Sequence, residues 1–315
     1  MVNGAQSSRF PVSSGVPEGT VLGPLLFLIY INDNFLGIDS EIRLFADDCI
    51  LYREICNSCD SASLQCDINK LCAWSYKWQM SFTVSKCCIL SIYRKRTPPP
   101  ALNYTLGNTL LSVVNSHSYL GVTVSSDLRW HEHVNNVSAQ ATKTLSFIRH
   151  NVYCCPPYIK ATAYISVVRP HLEYAAAAWD LYLVGDCKQL EKVQRRAARF
   201  LKRDCRSTAS VSSLISQLGW QSLSDRRRNS RLSLMYKSLH GLAGISTSPF
   251  RCSSKPTRSA DGDTFCVLSS RTDPYKYSFY PHTIVDWNAL PASVKSRPSI
   301  YSFRCAIPSS LTISI

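Results

Sequence analysis

Two adjacent carboxylates, Asp47 and Asp48, are the side chains in this sequence most able to do chemistry. Ile42, Leu44 and Ala46 precede them and Cys49-Ile50-Leu51-Tyr52 follows, the pattern of a tight hairpin with both acids at its tip. Carboxylates this close repel one another unless a cation intervenes. Magnesium suits the place: it takes hard oxygen ligands, often one or two carboxylates completed by phosphates. In phosphoryl transfer, two such ions roughly 3.5–4 Å apart clamp the attacking and leaving oxygens. Other reactive residues are arranged less productively. Cys56-Asn57-Ser58-Cys59 has metal-ligand spacing, but the second such pair of a zinc ribbon is missing, and Cys66 and Cys72 fall within a helical pattern as ordinary thiols. His131 and His133 are two apart and do not share a helix face. No neighbouring motif supports a Ser/His/Asp or Cys/His nucleophile.

The elements that must hold the aspartates can be read from periodicity. Residues 8–13 read as extended. The apolar stretch 20–31 lies between Pro17-Glu18-Gly19 and Asn32-Asp33-Asn34 and predicts a buried helix. After the hairpin, Leu64, Ile68, Leu71, Ser75 and Trp78 place an amphipathic helix over 61–79. Residues 82–93 read as a strand, 94–100 as a basic, proline-rich loop, and 104–106, 109–113 and 118–124 as three strands in a meander. Beyond residue 130 the patterns are helical, over 131–151, 157–178, 186–204, 210–218 and 222–241. Residues 243–275, rich in Ser, Thr, Pro and Gly, read as a mobile linker. The six tryptophans read as packing residues. The fold class is α+β, a small antiparallel sheet with helices followed by an all-helical bundle.

The 315 residues carry 35 Lys and Arg against 21 Asp and Glu, a net charge of +14. Apolar residues make up 45%, which excludes a disordered chain, and the charge points to a polyanionic partner. That charge is segregated. Residues 1–150 hold 12 basic and 11 acidic side chains, a net of +1, whereas 188–240 alone holds 13 and 3, a net of +10. On 188–204, Leu190, Val193, Ala197, Phe200 and Leu201 form one face, and Lys192, Arg195, Arg196 and Arg199 help fill the rest. Arg226-Arg227-Arg228 and Arg231 repeat the theme. A phosphate backbone along this surface would explain the segregation, with Lys192, Arg195, Arg196, Arg199 and Arg227 as its contacts. Fourteen Cys without a leader pattern fit reduced thiols in the cytoplasm or nucleus and not a secreted disulfide framework. The longest apolar run, Val21 to Ile31, is broken by Gly23-Pro24 and is too short to span a bilayer.

Ser13-Ser14-Gly15-Val16-Pro17-Glu18-Gly19-Thr20-Val21-Leu22-Gly23-Pro24-Leu25-Leu26-Phe27, followed by Phe45-Ala46-Asp47-Asp48, resembles the reverse transcriptases of non-LTR retrotransposons, from motif B onward. The likeness continues through Val84-Ser85-Lys86-Cys87, Ser118-Tyr119-Leu120-Gly121-Val122, Arg169-Pro170-His171-Leu172-Glu173-Tyr174 and Leu190 to Ala197. It reaches Phe279 to Ile284 and Trp287 to Pro291 near the end. The resemblance implies a polymerase palm over 1–125, a basic thumb-like bundle over 126–242, and a linker with a C-terminal extension over 243–315. It implies metal-dependent nucleotidyl transfer onto a primer 3′ end. Asp47 would be a ligand of Mg2+ and Asp48 its neighbour at the same site. Lys86 would lie near the nucleotide phosphates, and Gly15, Pro17, Glu18 and Gly19 would form the turn against the template–nucleotide pair. The partners implied are an RNA template and an RNA–DNA hybrid or DNA primer.

Two departures qualify the expectation. The family's third acid, in motif A, precedes motif B, and this sequence starts immediately before motif B; Asp33 and Asp39 come after it in order. Glu18 stands where the family usually carries glutamine. A carboxylate there repels a triphosphate, where an amide would donate a hydrogen bond. The sequence therefore predicts a polymerase segment that is inactive alone. The alternatives are a nucleic-acid-binding module working through 188–240, or a vestigial, non-enzymatic product.

Overall fold

The computed structural model describes residues 19–32, 37–93, 103–202, 210–251 and 264–308. The chain divides into two compact units, 1–114 and 115–315.

In the first unit, α1 (Leu22–Ile31) is followed by the hairpin of β1 (Glu41–Phe45) and β2 (Asp48–Tyr52), then by α2 (Ser58–Lys77). Asn57 starts α2 with a capping box: its side chain accepts from the Asp60 N–H, and the Asp60 carboxylate accepts from the Asn57 N–H. A turn of 3-10 helix at Val84–Lys86 leads into β3 (Cys88–Leu90). The predicted strand over 82–93 is thus only three residues long. The meander also resolves differently. β4 (Thr105–Leu106) and β5 (Thr109–Leu110) form a hairpin, while β6 (Ser112–Val114) pairs in parallel with β3. Among the described residues each sheet has two strands.

α1 forms where expected but is not buried. Leu22, Leu25, Leu28 and Ile29 are each more than half exposed, and only Gly23 and Ile31 are inside. It is apolar all round, so its composition predicts burial that the described neighbours do not supply. Trp78 packs against it: the Tyr30 hydroxyl donates to the Trp78 carbonyl, and the rings meet edge to face at 5.2 Å.

The second unit opens with the hairpin of β7 (Ser116–Tyr119) and β8 (Val122–Ser125), joined by Leu120-Gly121. Both turn residues have positive φ, 48° and 77°, the geometry of a two-residue turn that matches strand twist. The hairpin packs on α3 (His131–Asn151), whose His133 Nδ1 accepts from the Thr123 N–H at 3.2 Å. The predicted 157–178 helix is interrupted. α4 (Pro157–Ala163) passes through a π-helical stretch, 164–168, into α5 (Arg169–Glu173). Pro170 lacks the N–H that an unbroken helix needs, and the wider turn absorbs the missing bond. α6 (Val184–Lys202), α7 (Val211–Gln217) and α8 (Leu223–Leu239) follow. Val134, Leu145, Tyr164, Leu172, Trp179, Leu190, Val193 and Leu201 make one core among them.

Residues after 243 are more than a linker. Phe250 and Phe265 enter a second core with Leu232, Met235 and Tyr236 of α8, Ile284 and Trp287 of α10 (Phe279–Asn288), and Phe303 of α12 (Ile300–Ala306). Between α8 and α10 the short helices α9 (Asp273–Lys276) and then, after α10, α11 (Ala292–Lys295) complete the run. A buried ion network ties these parts. Asp180, 7% exposed, meets Arg231 Nε at 2.8 Å, Arg227 Nε at 3.5 Å and His282 Nδ1 at 2.9 Å, while Arg231 Nη2 reaches Asp286 at 2.9 Å.

Candidate functional site

The aspartate hairpin forms as the sequence predicts, but its turn falls one residue earlier, so that only one of the two acids is in it. Phe45 pairs with Asp48 at the end of the ladder, leaving Ala46-Asp47 as the two-residue turn. Asp47 is therefore in the turn and Asp48 is the first residue of β2, and both are exposed. No hydrogen bond or ion pair to either carboxylate exists among the described residues. Ala46 adopts φ 51°, a left-handed conformation that costs a residue with a Cβ about 1–2 kcal/mol and that glycine or asparagine usually occupies. Strain of this kind collects at functional turns. Cross-strand pairing puts Asp48 on the same face as Phe45 and Arg43, the open face of the hairpin; Ile42, Leu44, Cys49 and Leu51 lie on the other and are half-buried.

One aspartate that periodicity did not single out holds this hairpin in place. Asp67 of α2 has no exposed surface, and its carboxylate accepts from the Asp39 N–H at 3.3 Å and the Ser40 N–H at 2.8 Å, just before β1. Lys70 Nζ donates to it at 2.8 Å and to the Gly37 carbonyl at 2.6 Å. Burial pushes the Asp67 carboxyl up, but these hydrogen bonds together outweigh it and bring the pKa down to about 2. The signal was an acid within the apolar stripe Leu64, Ile68, Leu71.

Lys86 ends the 3-10 turn and is exposed. The residue after it, Cys87, lies close enough to Cys49 of β2 to raise that thiol, whose pKa burial and then Cys87 push to about 11. Gly19 sits in an exposed turn with φ 77°, the conformation that requires glycine. Gly15, Pro17 and Glu18 lie outside the described residues, as does the start of the motif that contains them. Cys56 and Cys59 are exposed, and among the described residues no group of three or more His, Cys, Asp or Glu converges on one point. The two carboxylates fit magnesium by donor type, with the remaining coordination left to water and phosphate oxygens.

The basic surface is narrower than the sequence suggests. Lys192, Arg195 and Arg196 of α6 are exposed, and Arg199 is half-buried. Arg227 is a correction. It is 2% exposed and faces Asp180, so its guanidinium is turned inward and is not offered to a phosphate backbone. Arg231 is likewise internal, and Arg226 makes a two-pronged pair with Glu173. In their place, Lys188, Lys192 and Arg196 line an open surface groove of about 560 Å³ along α3 and α6.

Residues 1–124 match the reverse transcriptase (RNA-dependent DNA polymerase) family. The chain is also similar to three mobile-element proteins of fruit flies. It is 26% identical over 208 residues to the Drosophila melanogaster "Probable RNA-directed DNA polymerase from transposon X-element", covering 62% of this chain and 22% of that protein. It is 26% identical over 216 residues to the RNA-directed DNA polymerase from mobile element jockey of the same species, covering 64% and 23%. The jockey protein of Drosophila funebris is 25% identical over 215 residues, again 64% and 23%. The chain therefore spans less than a quarter of the length of these relatives. No solved structure matches it. The family match ends within β8, and the likeness to the mobile-element proteins covers more of the chain than that match. Among the described residues no helix is long and apolar enough to cross a membrane.

Proposed function

We propose that this chain is the motif B-to-thumb part of a non-LTR retrotransposon reverse transcriptase, with a palm segment in the first unit and a thumb-like bundle in the second. Asp47 and Asp48 serve as magnesium ligands, and Lys86 and Gly19 lie near the nucleotide. The observation that carries this reading is the Asp47–Asp48 pair: two carboxylates, unpartnered among the described residues, at and beside a strained hairpin turn inside the segment that matches the family. Bound magnesium would neutralise charge developing on the transferred phosphoryl group. The chain's own residues set the hairpin through Asp67 and leave both carboxylates open to solvent. Nucleotidyl transfer requires at least one further carboxylate on the metals, and the 315 residues by themselves do not polymerise.

The test has two parts. Titration with Mn2+, followed by its paramagnetic resonance signal, is expected to show binding that Asp47→Asn and Asp48→Asn each weaken at least tenfold. Primer extension by the same chain is expected to be negative. Unchanged Mn2+ binding in both variants would overturn the metal reading, and template-dependent synthesis abolished by Asp47→Asn would overturn the claim of inactivity.

A second reading, a nucleic-acid-binding module without chemistry, is favoured by one observation of its own: a cation-lined groove in the helical unit. Salt-dependent binding of RNA or RNA–DNA hybrid without extension would make it the better description. The compartment that fits either reading is the nucleus or cytoplasm.

A further inference from the structure

We infer that the turn between α3 and α4 is a docking surface for another protein, one that presents an apolar patch rimmed by carboxylates. The inference goes beyond the polymerase reading and does not depend on the metal site.

Residues 152–159, Val-Tyr-Cys-Cys-Pro-Pro-Tyr-Ile, carry no charge. Being consecutive, they form one continuous surface. Tyr153 is 61% exposed, Tyr158 69% and Ile159 36%, and Cys154, Pro156 and Pro157 are exposed as well. One helical turn before the run, where the Asn151 side chain donates to its carbonyl, Phe147 is 68% exposed. Apolar side chains scattered singly over a surface need no explanation. A run of adjacent aromatic, proline and thiol groups facing water marks an interaction site.

The turn is already ordered. The Val152 N–H donates to the Ile148 carbonyl at 2.9 Å, the Cys155 N–H to the Val152 carbonyl at 3.1 Å, and the Ile159 N–H to the Pro156 carbonyl at 3.1 Å. Pro156 holds φ at −59°, and Pro157 is the first residue of α4. Beneath the turn, Lys160 is 1% exposed and sets its ammonium 5.6 Å from the Tyr153 ring and 4.9 Å from the Phe200 ring. Tyr153 is thereby anchored from below. A surface fixed in this way loses little entropy when a partner covers it.

Charge decides the kind of partner. No Asp or Glu occurs between Glu132 and Glu173, while Lys143, Arg149 and His150 are exposed on the last turns of α3. With a cationic rim and an apolar centre, the complementary surface is acidic outside and apolar inside. Tyr, Phe and Arg are also the residue types that protein interfaces concentrate. A nucleic-acid strand fits less well. It calls for a row of cations along its phosphates, whereas the run itself has none and the Lys160 ammonium is turned onto two rings.

The probe is a fluorescent, glutamate-rich random copolymer of glutamate and tyrosine, titrated with the full chain and compared with polyglutamate of the same length. The copolymer is expected to bind at least about tenfold more tightly, because an apolar centre adds to the charge. Phe147→Ser/Tyr158→Ser removes two exposed side chains and is expected to abolish that advantage, whereas Tyr275→Ser/Tyr301→Ser, also exposed, is expected to leave it. Alkylation locates the site: saturating copolymer is expected to slow iodoacetamide labelling of Cys154 at least about fivefold and to leave the exposed Cys56 and Cys305 unchanged. Equal affinity for the two polymers, an unchanged advantage in Phe147→Ser/Tyr158→Ser, or equal protection of the three thiols would overturn the proposal. Protection of Cys154 by a single-stranded oligonucleotide or by anionic phospholipid vesicles, and not by the copolymer, would overturn it in favour of nucleic acid or a lipid surface.

Discussion

Replacing Asp180 by asparagine removes one charge from a network that has almost no access to water. The side chains of Arg227, Arg231, Asp180 and Asp286 are exposed by only 2%, 3%, 7% and 6%. Two guanidinium and two carboxylate groups balance; with asparagine, a buried positive charge is left over. Arg231 keeps Asp286, but Arg227 keeps no carboxylate and is left with the Cys187 sulfur at 4.0 Å. At an effective dielectric of about 20, an ion pair near 4 Å is worth roughly 4 kcal/mol. Breaking a buried pair by removing one partner costs about 3–5 kcal/mol, and the network should fall in that range. Trp179, fully buried beside Asp180, gives the assay its reporter: urea unfolding followed by tryptophan fluorescence. With a slope near 2 kcal/mol per M, the midpoint of the second unit should drop by roughly 1.5–2.5 M. Adding Arg227→Met to Asp180→Asn should recover at least half of the loss, because the uncompensated charge goes with it. pH supplies a third arm. Burial pushes the Asp180 carboxyl up, but the His282 hydrogen bond and the charges of Arg231 and Arg227 outweigh it and hold it below the ordinary aspartate range. A depressed folded pKa means the contribution is complete above about pH 4 and disappears as pH falls through the lower folded value. A loss of less than about 1 kcal/mol at neutral pH, or no rescue by the double variant, would refute the clamp.

Three further outcomes follow from other sites. Asp67→Asn should cost about 1–3 kcal/mol and speed amide exchange at Asp39 and Ser40, whose N–H groups donate to its carboxylate; unchanged exchange there would dismiss it as the anchor of the β1–β2 hairpin. Gly121→Ala should destabilise the β7–β8 hairpin by about 1–2 kcal/mol, since φ is 77° and a Cβ would stand 3.2 Å from Tyr174 Cε1; a wild-type urea midpoint would contradict this. At pH 8, Cys49 should react with iodoacetamide at least tenfold more slowly than exposed Cys56 and Cys59, because a thiol with a pKa of about 11 holds little thiolate; timed alkylation read by mass spectrometry checks the order.

What could be read from the residues alone depended on whether the deciding partner was local. The span of α3 follows from Val134, Ala141, Leu145 and Ile148, a stripe with a period that belongs to the helix itself. The aspartate turn follows from two short runs and what separates them. Arg227 did not follow, because Arg226, Arg227 and Arg228 look alike until the fold brings Asp180 and His282 to one of them. Being four residues apart puts Arg227 and Arg231 on one face, yet only a distant carboxylate says that the face turns inward. Asp67 was missed for the opposite reason. Its stripe was recognised as buried, and an acid there needed partners, Asp39 and Ser40, that lie in a loop without periodicity. The linker over 243–275 was underestimated because Phe250 and Phe265 are isolated aromatics in polar surroundings, and only their burial against α8 and α10 gives them a role.

The same distinction separates the two candidate sites. Asp47 and Asp48 were legible because two adjacent acids between short apolar runs are a local pattern. The α3–α6 groove was half legible. Lys192 and Arg196 belong to a visible basic face, but Asn135, Ser138 and Thr142 are ordinary polar residues of another helix, and nothing in their own neighbourhood marks them. Cations alone would favour any polyanion and any route across the surface.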